Sequence, residues 1–347
     1  MTLTDYRTLG HSGLVVSPLT LGTMTFGNAS WGSSDDVSKD IFNAYIDAGG
    51  NAVDTADVYS GGRSEELVGT FIAERKLRDR VVLATKFGFN VEPGNPHAGG
   101  NSRKHIYSAL EGSLRRLKTD YIDLYWLHVY DMVTPVEETL QTLGDLVRAG
   151  HIRYFAFSDM PAWYVSKAAT LARVHNVPRP IGMQLEYSLA ARGVEAEHVP
   201  AARVDGLGIM PWSPLAGGFL AGKYERGNEK TGGEGRLSKS NPFQGPFTKF
   251  TERNWQILEV LKEVAEEVGR PSAQVALAWV SAQPGVTSTL LGASKVAQLQ
   301  DNLAALELRL LPEQLHKLNE VSAPESVFFT DDLKRGIFGG VDVDRWC

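Results

Sequence analysis

Asn51-Ala52-Val53-Asp54-Thr55-Ala56-Asp57-Val58-Tyr59-Ser60 follows the paired glycines Gly49 and Gly50 and begins as a short apolar run. Such a run between turn residues reads as a buried strand, and its polar residues emerge at the strand's carboxyl end. Asp54 and Tyr59 lie there. Two further runs end in the same way: Val81-Val82-Leu83-Ala84-Thr85 leads to Lys86, and Tyr121-Ile122-Asp123-Leu124-Tyr125-Trp126-Leu127 leads to His128. If these strands are parallel neighbours, the four titratable groups Asp54, Tyr59, Lys86 and His128 converge at one end of a sheet.

The pattern extends in both directions. After a hairpin around Gly10-His11-Ser12-Gly13, Leu19-Thr20-Leu21-Gly22 reads as a first strand. Ser34 is placed to cap a helix through Ala48, with Val37, Ile41, Ala44, Tyr45 and Ala48 at helical spacing. Ser64 to Ile72 opens the next helix, with Glu65 and Glu66 where the helix dipole favours acids. A helix ending at Leu117 shows Ile106, Leu110, Ser113, Leu114 and Leu117 on one face. Thr134 followed by Pro135 predicts a cap and first turn, and Gly150 ends that helix.

Further strands run Ile152 to Phe157, leading to Ser158 and Asp159; Ile181 to Met183, leading to Gln184; and Leu207 to Pro211, leading to Trp212 and Ser213. Helices are expected over 252–268 and 272–283, broken at Pro271. Val286 to Leu290 is the last strand, before Gly292-Ala293-Ser294 and a helix over 296–305.

Strands alternating with helices, with polar or aromatic residues repeatedly at the strand ends, predict an α/β fold, a (β/α)8 TIM barrel. The barrel is expected to be one domain over residues 1–347, with an N-terminal hairpin, extra C-terminal helices and a tail. An open doubly wound sheet is the competing architecture, but it would usually carry a GxGxxG turn after its first strand, and the chain has none.

With 43% hydrophobic and 22% charged residues the chain can bury a large core. A net charge of -6 argues against a nucleic-acid binder acting through its whole surface. No apolar run is long enough to span a membrane, and the amino terminus lacks the basic start and apolar core of a secretion signal. A cytoplasmic protein is expected. The single cysteine, Cys347, excludes an internal disulfide framework, and the eight histidines form no metal-ligand spacing, so no metal is expected.

A tyrosine hydroxyl, with an ordinary pKa of about 10, acts as a general acid near neutrality only beside a cation. Lys86 is the available cation for Tyr59, and Asp54 would hold the ammonium. His128 would orient a carbonyl oxygen or share in proton transfer. Each residue has a plainer reading: Asp54 and Lys86 as a structural ion pair, Tyr59 as a rim aromatic, His128 as a core histidine.

Taken together, these residues resemble the aldo-keto reductase superfamily. The likeness rests on Asp54-Thr55-Ala56 with Tyr59, Thr85-Lys86, Leu127-His128, Gln184, Trp212-Ser213-Pro214-Leu215-Ala216-Gly217-Gly218, and Leu291-Gly292-Ala293-Ser294 through Asp301-Asn302. The resemblance implies reduction of an aldehyde or ketone with NADPH, NADH being the lesser alternative. Tyr59 would give the proton, Lys86 and Asp54 would tune it, and His128 would orient the substrate.

It also implies that Trp212 stacks on the nicotinamide while Ser158, Asp159 and Gln184 hold its carboxamide, near Gly22, Thr23, Met24 and Asp54. An aspartate at 159 departs from the asparagine common there: a carboxylate accepts hydrogen bonds but donates none. Independently of the resemblance, Gly292, Ala293 and Ser294 precede a helix whose free N–H groups suit an anion, with Lys295 beside them. Similar proteins hold the adenosine phosphate with residues matching Gly292, Ser294, Gln298, Asp301 and Asn302. In those proteins the pyrophosphate lies under a loop matching Ser213, Pro214, Leu215, Gly217, Lys223 and Arg236. Many superfamily reductases carry a basic residue where Gln298 falls.

The segment 216–254 is too long for a plain connector and is expected to cover a ligand. The tail from Glu325 to Cys347 is expected near the mouth. Met24, Trp31, Tyr59, Phe87, His128 and Tyr130 would line an apolar opening for a small carbonyl compound. Gly217 to Tyr224 nearly spells a P-loop, but Tyr224 stands where that motif needs Ser or Thr for magnesium. The resemblance also extends to potassium-channel β subunits, so a cofactor-binding regulatory subunit is the alternative function. Those subunits have asparagine where this chain has His128. An oligomer is compatible with the sequence, which carries no signal for one.

Overall fold

The computed structural model describes residues 1–227, 237, 249–324, 333 and 336–341. Strands β1 (Arg7–Thr8) and β2 (Val15–Val16) pair antiparallel as the expected hairpin. Eight parallel strands follow: β3 (Leu19–Gly22), β4 (Ala52–Asp54), β5 (Val82–Phe87), β6 (Ile122–Leu127), β7 (Ile152–Ser158), β8 (Gly182–Glu186), β9 (Gly208–Trp212) and β10 (Thr289–Leu291). They pair in chain order, and β10 returns to β3. The ring closes just ahead of β10, where Ile209 bridges Val286. Ile209 donates its N–H to Gly285 O at 2.9 Å and accepts from Thr287 N at 2.8 Å. This is the (β/α)8 barrel.

Around it run α1 (Asp35–Asp47), α2 (Arg63–Glu74), α3 (Arg103–Leu117), α4 (Val136–Arg148), α5 (Ala162–Val174), α6 (His198–Asp205), α7 (Glu252–Val268), α8 (Ser272–Ser281), α9 (Val296–Leu303) and α10 (Pro312–Val321). Ser34 caps α1 as expected, its side chain accepting from Val37 N. The buried stripe of α1 is Ser38, Ile41, Phe42 and Tyr45, whereas Ala48 is exposed beyond the helix end. Thr134 does not cap α4. Its N–H and hydroxyl both reach the Asp131 carboxylate, at 3.0 and 2.6 Å, and Pro135 takes the cap position.

Successive strand residues face opposite sides. Ala52, Ala84, Leu124, Trp126, Ala156 and Met210 fill the barrel interior, while Val53, Leu83, Tyr125, Phe155 and Ile209 pack outward under the helices. Small alanines opposite Trp126 and Met210 let the interior fill without a pore. The hairpin closes the amino-terminal end: Leu9, Leu14 and Val16 join the interior cluster, and His11 N–H donates to Gly206 O at 2.8 Å. Gly10 is required there. Its φ is +56°, and a Cβ would lie 2.5 Å from Ile181 O. Among the described residues no helix is long and apolar enough to cross a membrane.

Candidate active site

The carboxyl ends of β4, β5 and β6 sit side by side, with Asp54 in register with Ala84 and Lys86 with Trp126. Asp54, Lys86 and Trp126 share the inward parity, and His128 continues it one step past β6. Lys86 is completely buried, and its ammonium uses all three donors: on Asp54 Oδ1, on Thr55 O at 3.0 Å and on Tyr59 Oη at 3.3 Å. The second oxygen of Asp54 accepts from Gln184 Nε2 at 3.1 Å. Burial alone would lower the Lys86 pKa, but the Asp54 carboxylate and Tyr59 outweigh it and raise it above 10.5. Burial likewise pulls the Asp54 carboxyl upward, against Lys86, Gln184 and Trp126, which pull it down. The pair is therefore held as ammonium and carboxylate, each depending on the other.

Tyr59 starts a short 3-10 turn over Tyr59–Gly62. The loop leading to it is fixed by backbone bonds to β5, Thr55 N to Ala84 O at 2.9 Å and Asp57 N to Lys86 O at 3.1 Å. Ser60 takes a positive φ of 50°, and its hydroxyl donates to Phe26 O at 2.9 Å. The His128 ring meets Tyr59 edge-on, with centroids 5.7 Å apart. Burial, and then the Lys86 charge, hold the imidazole well below its ordinary pKa, so it is neutral at physiological pH. His128 Nδ1 is buried without a hydrogen-bond partner among the described residues.

Phe87 does not line the mouth. Because Lys86 points inward, Phe87 points outward, fully buried against Tyr125 at 4.7 Å and His105 at 6.3 Å. The aromatic at the opening is Phe89, 44% exposed, its ring edge-on to His128 at 4.8 Å. Tyr130 stands beside it, half-buried, with its ring 5.9 Å from Trp163 and 5.5 Å from Tyr164. Met24 and Trp31 are half-buried on the segment after β3.

The ring of strand ends continues with β7, β8 and β9. Ser158 is buried, and Asp159, at φ +48°, accepts from Trp212 Nε1 at 3.1 Å and from Ser158 Oγ at 3.4 Å. Glu186, two residues beyond Gln184 on the same face, pairs with Lys249 at 2.8 Å. Sequence reasoning passed over Glu186, although its parity with Gln184 was available. Ser213 has φ +53°, and its Oγ accepts from Gly217 N at 3.2 Å, which folds Pro214 and Leu215 into a tight turn. The left-handed region is unfavourable for most side chains and gathers here, at Ser60, Asp159, Ser213 and Ala216.

Other expected residues are placed less directly. Gly22 ends β3 beside Leu291. Thr23 is fully buried, with its N–H and hydroxyl on Asp54 O at 2.9 and 3.0 Å, so it braces the exit of β4. Before α9, Gln298 Oε1 accepts from Ser294 N at 3.0 Å and from Ser294 Oγ at 3.1 Å. Asp301 accepts from Gln274 Nε2 at 2.8 Å, and Asn302 is buried. Gly292 is exposed, with open space where a Cβ would stand. Lys223 is exposed, Gly217 has φ +67°, and Arg236 lies outside the described residues, as does most of the expected tail over 325–347.

A closed barrel with proton-transfer groups and a buried ion pair at its carboxyl-terminal mouth defines an enzyme of the α/β-barrel class. The chain belongs to the aldo/keto reductase family, whose model matches residues 18–323. It is similar to a probable voltage-gated potassium channel subunit beta of Oryza sativa subsp. japonica, 38% identical over 91% of this chain and 96% of that one. It is similar to the aryl-alcohol dehydrogenase [NADP(+)] of Phanerodontia chrysosporium, 34% identical over 89% of this chain and 83% of that one. An uncharacterized oxidoreductase of Bacillus subtilis, YrpG, is 36% identical over 91% and 95%. The chain is thus an NAD(P)H-dependent oxidoreductase of this family.

The residues present fit such a cofactor. One wall of the mouth carries a half-buried indole with hydrogen-bonding groups beside it, and the loop before α9 leaves Gly292 open next to the Ser294 hydroxyl.

Proposed function

We propose that this chain reduces an aldehyde or ketone to an alcohol with NADPH, reversibly, taking the proton from Tyr59. The observation that carries this reading is the Lys86 ammonium, which touches Asp54 and the Tyr59 oxygen together. When bound, the cofactor supplies the hydride. Tyr59 then gives its proton to the carbonyl oxygen, and Lys86 stabilises the phenolate left behind. His128, neutral, hydrogen-bonds the same oxygen and orients the carbonyl, which suits it better to positioning than to carrying the transferred proton. Loss of NADPH absorbance with a panel of aldehydes and ketones tests the reading; no turnover of any carbonyl would sink it.

In the same reading Trp212 and Asp159 flank the nicotinamide with Ser158, and Gln184 acts mainly by bracing Asp54. Ser213, Pro214, Leu215, Gly217 and Lys223 would meet the pyrophosphate. Gly292, Ser294, Gln298, Asp301 and Asn302 would meet the adenosine end. The segment 216–254 would cover the cofactor and the tail would approach the mouth, all within one domain. With one cysteine in the whole chain, we read the protein as cytoplasmic.

A preference for NADPH over NADH is supported by the Ser294 hydroxyl beside the α9 amino terminus, where it bonds Gln298. Ser294→Ala is expected to weaken NADPH about tenfold and to leave NADH within about twofold, read by fluorescence titration. Equal losses would put Ser294 away from the extra phosphate.

The aromatic opening favours a carbonyl conjugated to a ring, in keeping with the relative named for aryl alcohols. Phe89→Ala is expected to raise KM for benzaldehyde-type substrates about tenfold while changing KM for short alkyl aldehydes little, because the ring contact is lost. A uniform change across both classes would rule out a stacking role for Phe89.

A cofactor-binding regulatory subunit is the second reading, favoured by the likeness to channel subunits named from Oryza sativa subsp. japonica and Arabidopsis thaliana. Tight NADPH binding without turnover would support it. His128 argues for turnover.

A further inference from the structure

Three carboxylates face the mouth from the ends of β4, β7 and β8, and two of them are neutralised. Asp54 is paired with Lys86, and Glu186 with Lys249 at 2.8 Å. Asp159 has no ion-pair partner among the described residues. It accepts only from neutral donors, Trp212 Nε1 at 3.1 Å and Ser158 Oγ at 3.4 Å, and keeps an open face toward the mouth. Its backbone is fixed, with φ +48° and the N–H on Gln184 O at 3.1 Å, so the carboxylate cannot easily turn away.

The Tyr59 hydroxyl and His128 lie on the ends of β4 and β6, and Asp159 follows β7, the next strand in the ring. In the proposed reaction a carbonyl held by Tyr59 and His128 takes its hydride from the side of β7 to β9, where the Trp212 indole and Asp159 stand. That placement rests on the function proposed above. A nicotinamide ring is neutral when reduced and carries a positive charge when oxidised. An unpaired carboxylate beside it interacts differently with the two.

We propose that Asp159 makes the cofactor seat discriminate between the two redox states of the nicotinamide, its carboxylate holding the oxidised, cationic ring more tightly than the reduced one. The charge acts where positive charge develops on the ring as hydride leaves, and so promotes hydride donation. The same attraction makes oxidised cofactor a tightly held product and a strong inhibitor of carbonyl reduction. Burial in the mouth, with Glu186 adding repulsion, pushes the Asp159 carboxyl up to about 6, against Trp212, Ser158 and Lys86, which pull it down. It is ionised at pH 8.

Asp159→Asn isolates the charge. Asparagine also tolerates the left-handed backbone, and its amide oxygen can still accept from Trp212. Wild type and variant are titrated separately with NADP+ and with NADPH at pH 8, following tryptophan fluorescence. The variant is expected to bind NADP+ about tenfold more weakly while NADPH changes less than about twofold. Equal changes for both forms, or a selective loss of NADPH, would overturn the proposal. In wild type, the ratio of NADP+ to NADPH affinity is expected to fall as pH drops from 8 to 5. The charged groups acting on Asp159 are Glu186 and Lys86, paired with Lys249 and Asp54, and its hydrogen-bond donors Trp212 and Ser158 are neutral. A flat ratio would count against it even if the variant failed to fold. If wild type binds neither nucleotide, the oxidoreductase reading fails first and the proposal falls with it.

Discussion

Tyr59→Phe is expected to lower kcat for carbonyl reduction by about 10²–10⁴-fold, the range a positioned general acid contributes, with NADPH affinity changed by less than about threefold. The asymmetry follows from the geometry. The phenol oxygen is the only part of Tyr59 that the substitution removes, and that oxygen faces Lys86 Nζ at 3.3 Å. The ring, which meets His128 edge-on, stays in place. Stopped-flow turnover alongside fluorescence titration separates the two quantities. A variant that keeps wild-type kcat would show that the proton comes from elsewhere, and His128 would be the next group to examine.

Lys86→Met is expected to abolish turnover and also to destabilise the fold by about 3–5 kcal/mol, because it leaves the Asp54 carboxylate buried without its cation. The methionine fills much of the lysine's space, so the loss is electrostatic rather than a cavity. Lys86→Met combined with Asp54→Asn is expected to recover a large part of the stability and none of the activity. Urea unfolding of the two variants measures this. If the double variant is no more stable than the single one, the pair is not the coupled unit described. The pH sign follows from Lys86. Its pKa is raised in the fold, so its contribution is fully present below the ordinary value of 10.5 and is lost only as pH rises past the folded value. Neutral and acidic conditions do not break this pair through the lysine.

The barrel and the core of its site were legible because strand periodicity is a local signal. Each strand announced itself as a short apolar run, and the ionisable residue at its end lay one or two positions beyond. Lys86, Asp54 and His128 could be placed together from that pattern alone. The same periodicity, carried one residue further, excludes Phe87 from the mouth, since an inward lysine forces the next side chain outward. Phe89 was harder to find, because it lies past the end of β5 where alternation stops. Thr134 looked like a cap by residue type, but Asp131 captures its hydroxyl first. The Glu186–Lys249 pair joins positions far apart in the chain, and no local pattern predicts which charge closes on which. Gln184 was expected at the carboxamide. Its Nε2 also braces Asp54, a contact that depends on how far β8 reaches across the barrel.

The hairpin packed into the amino-terminal end has a consequence for traffic. With Leu9, Leu14 and Val16 filling that end and Gly10 pressed against Ile181 and Gly206, the barrel has a floor, and the reactants of the proposed reaction would share the mouth at the other end. Two reactants that share one entrance must queue. In the proposed reaction, a nucleotide reaching from the β9 end to α9 would be seated before a small carbonyl compound arrives over it, and the alcohol would leave before the spent nucleotide.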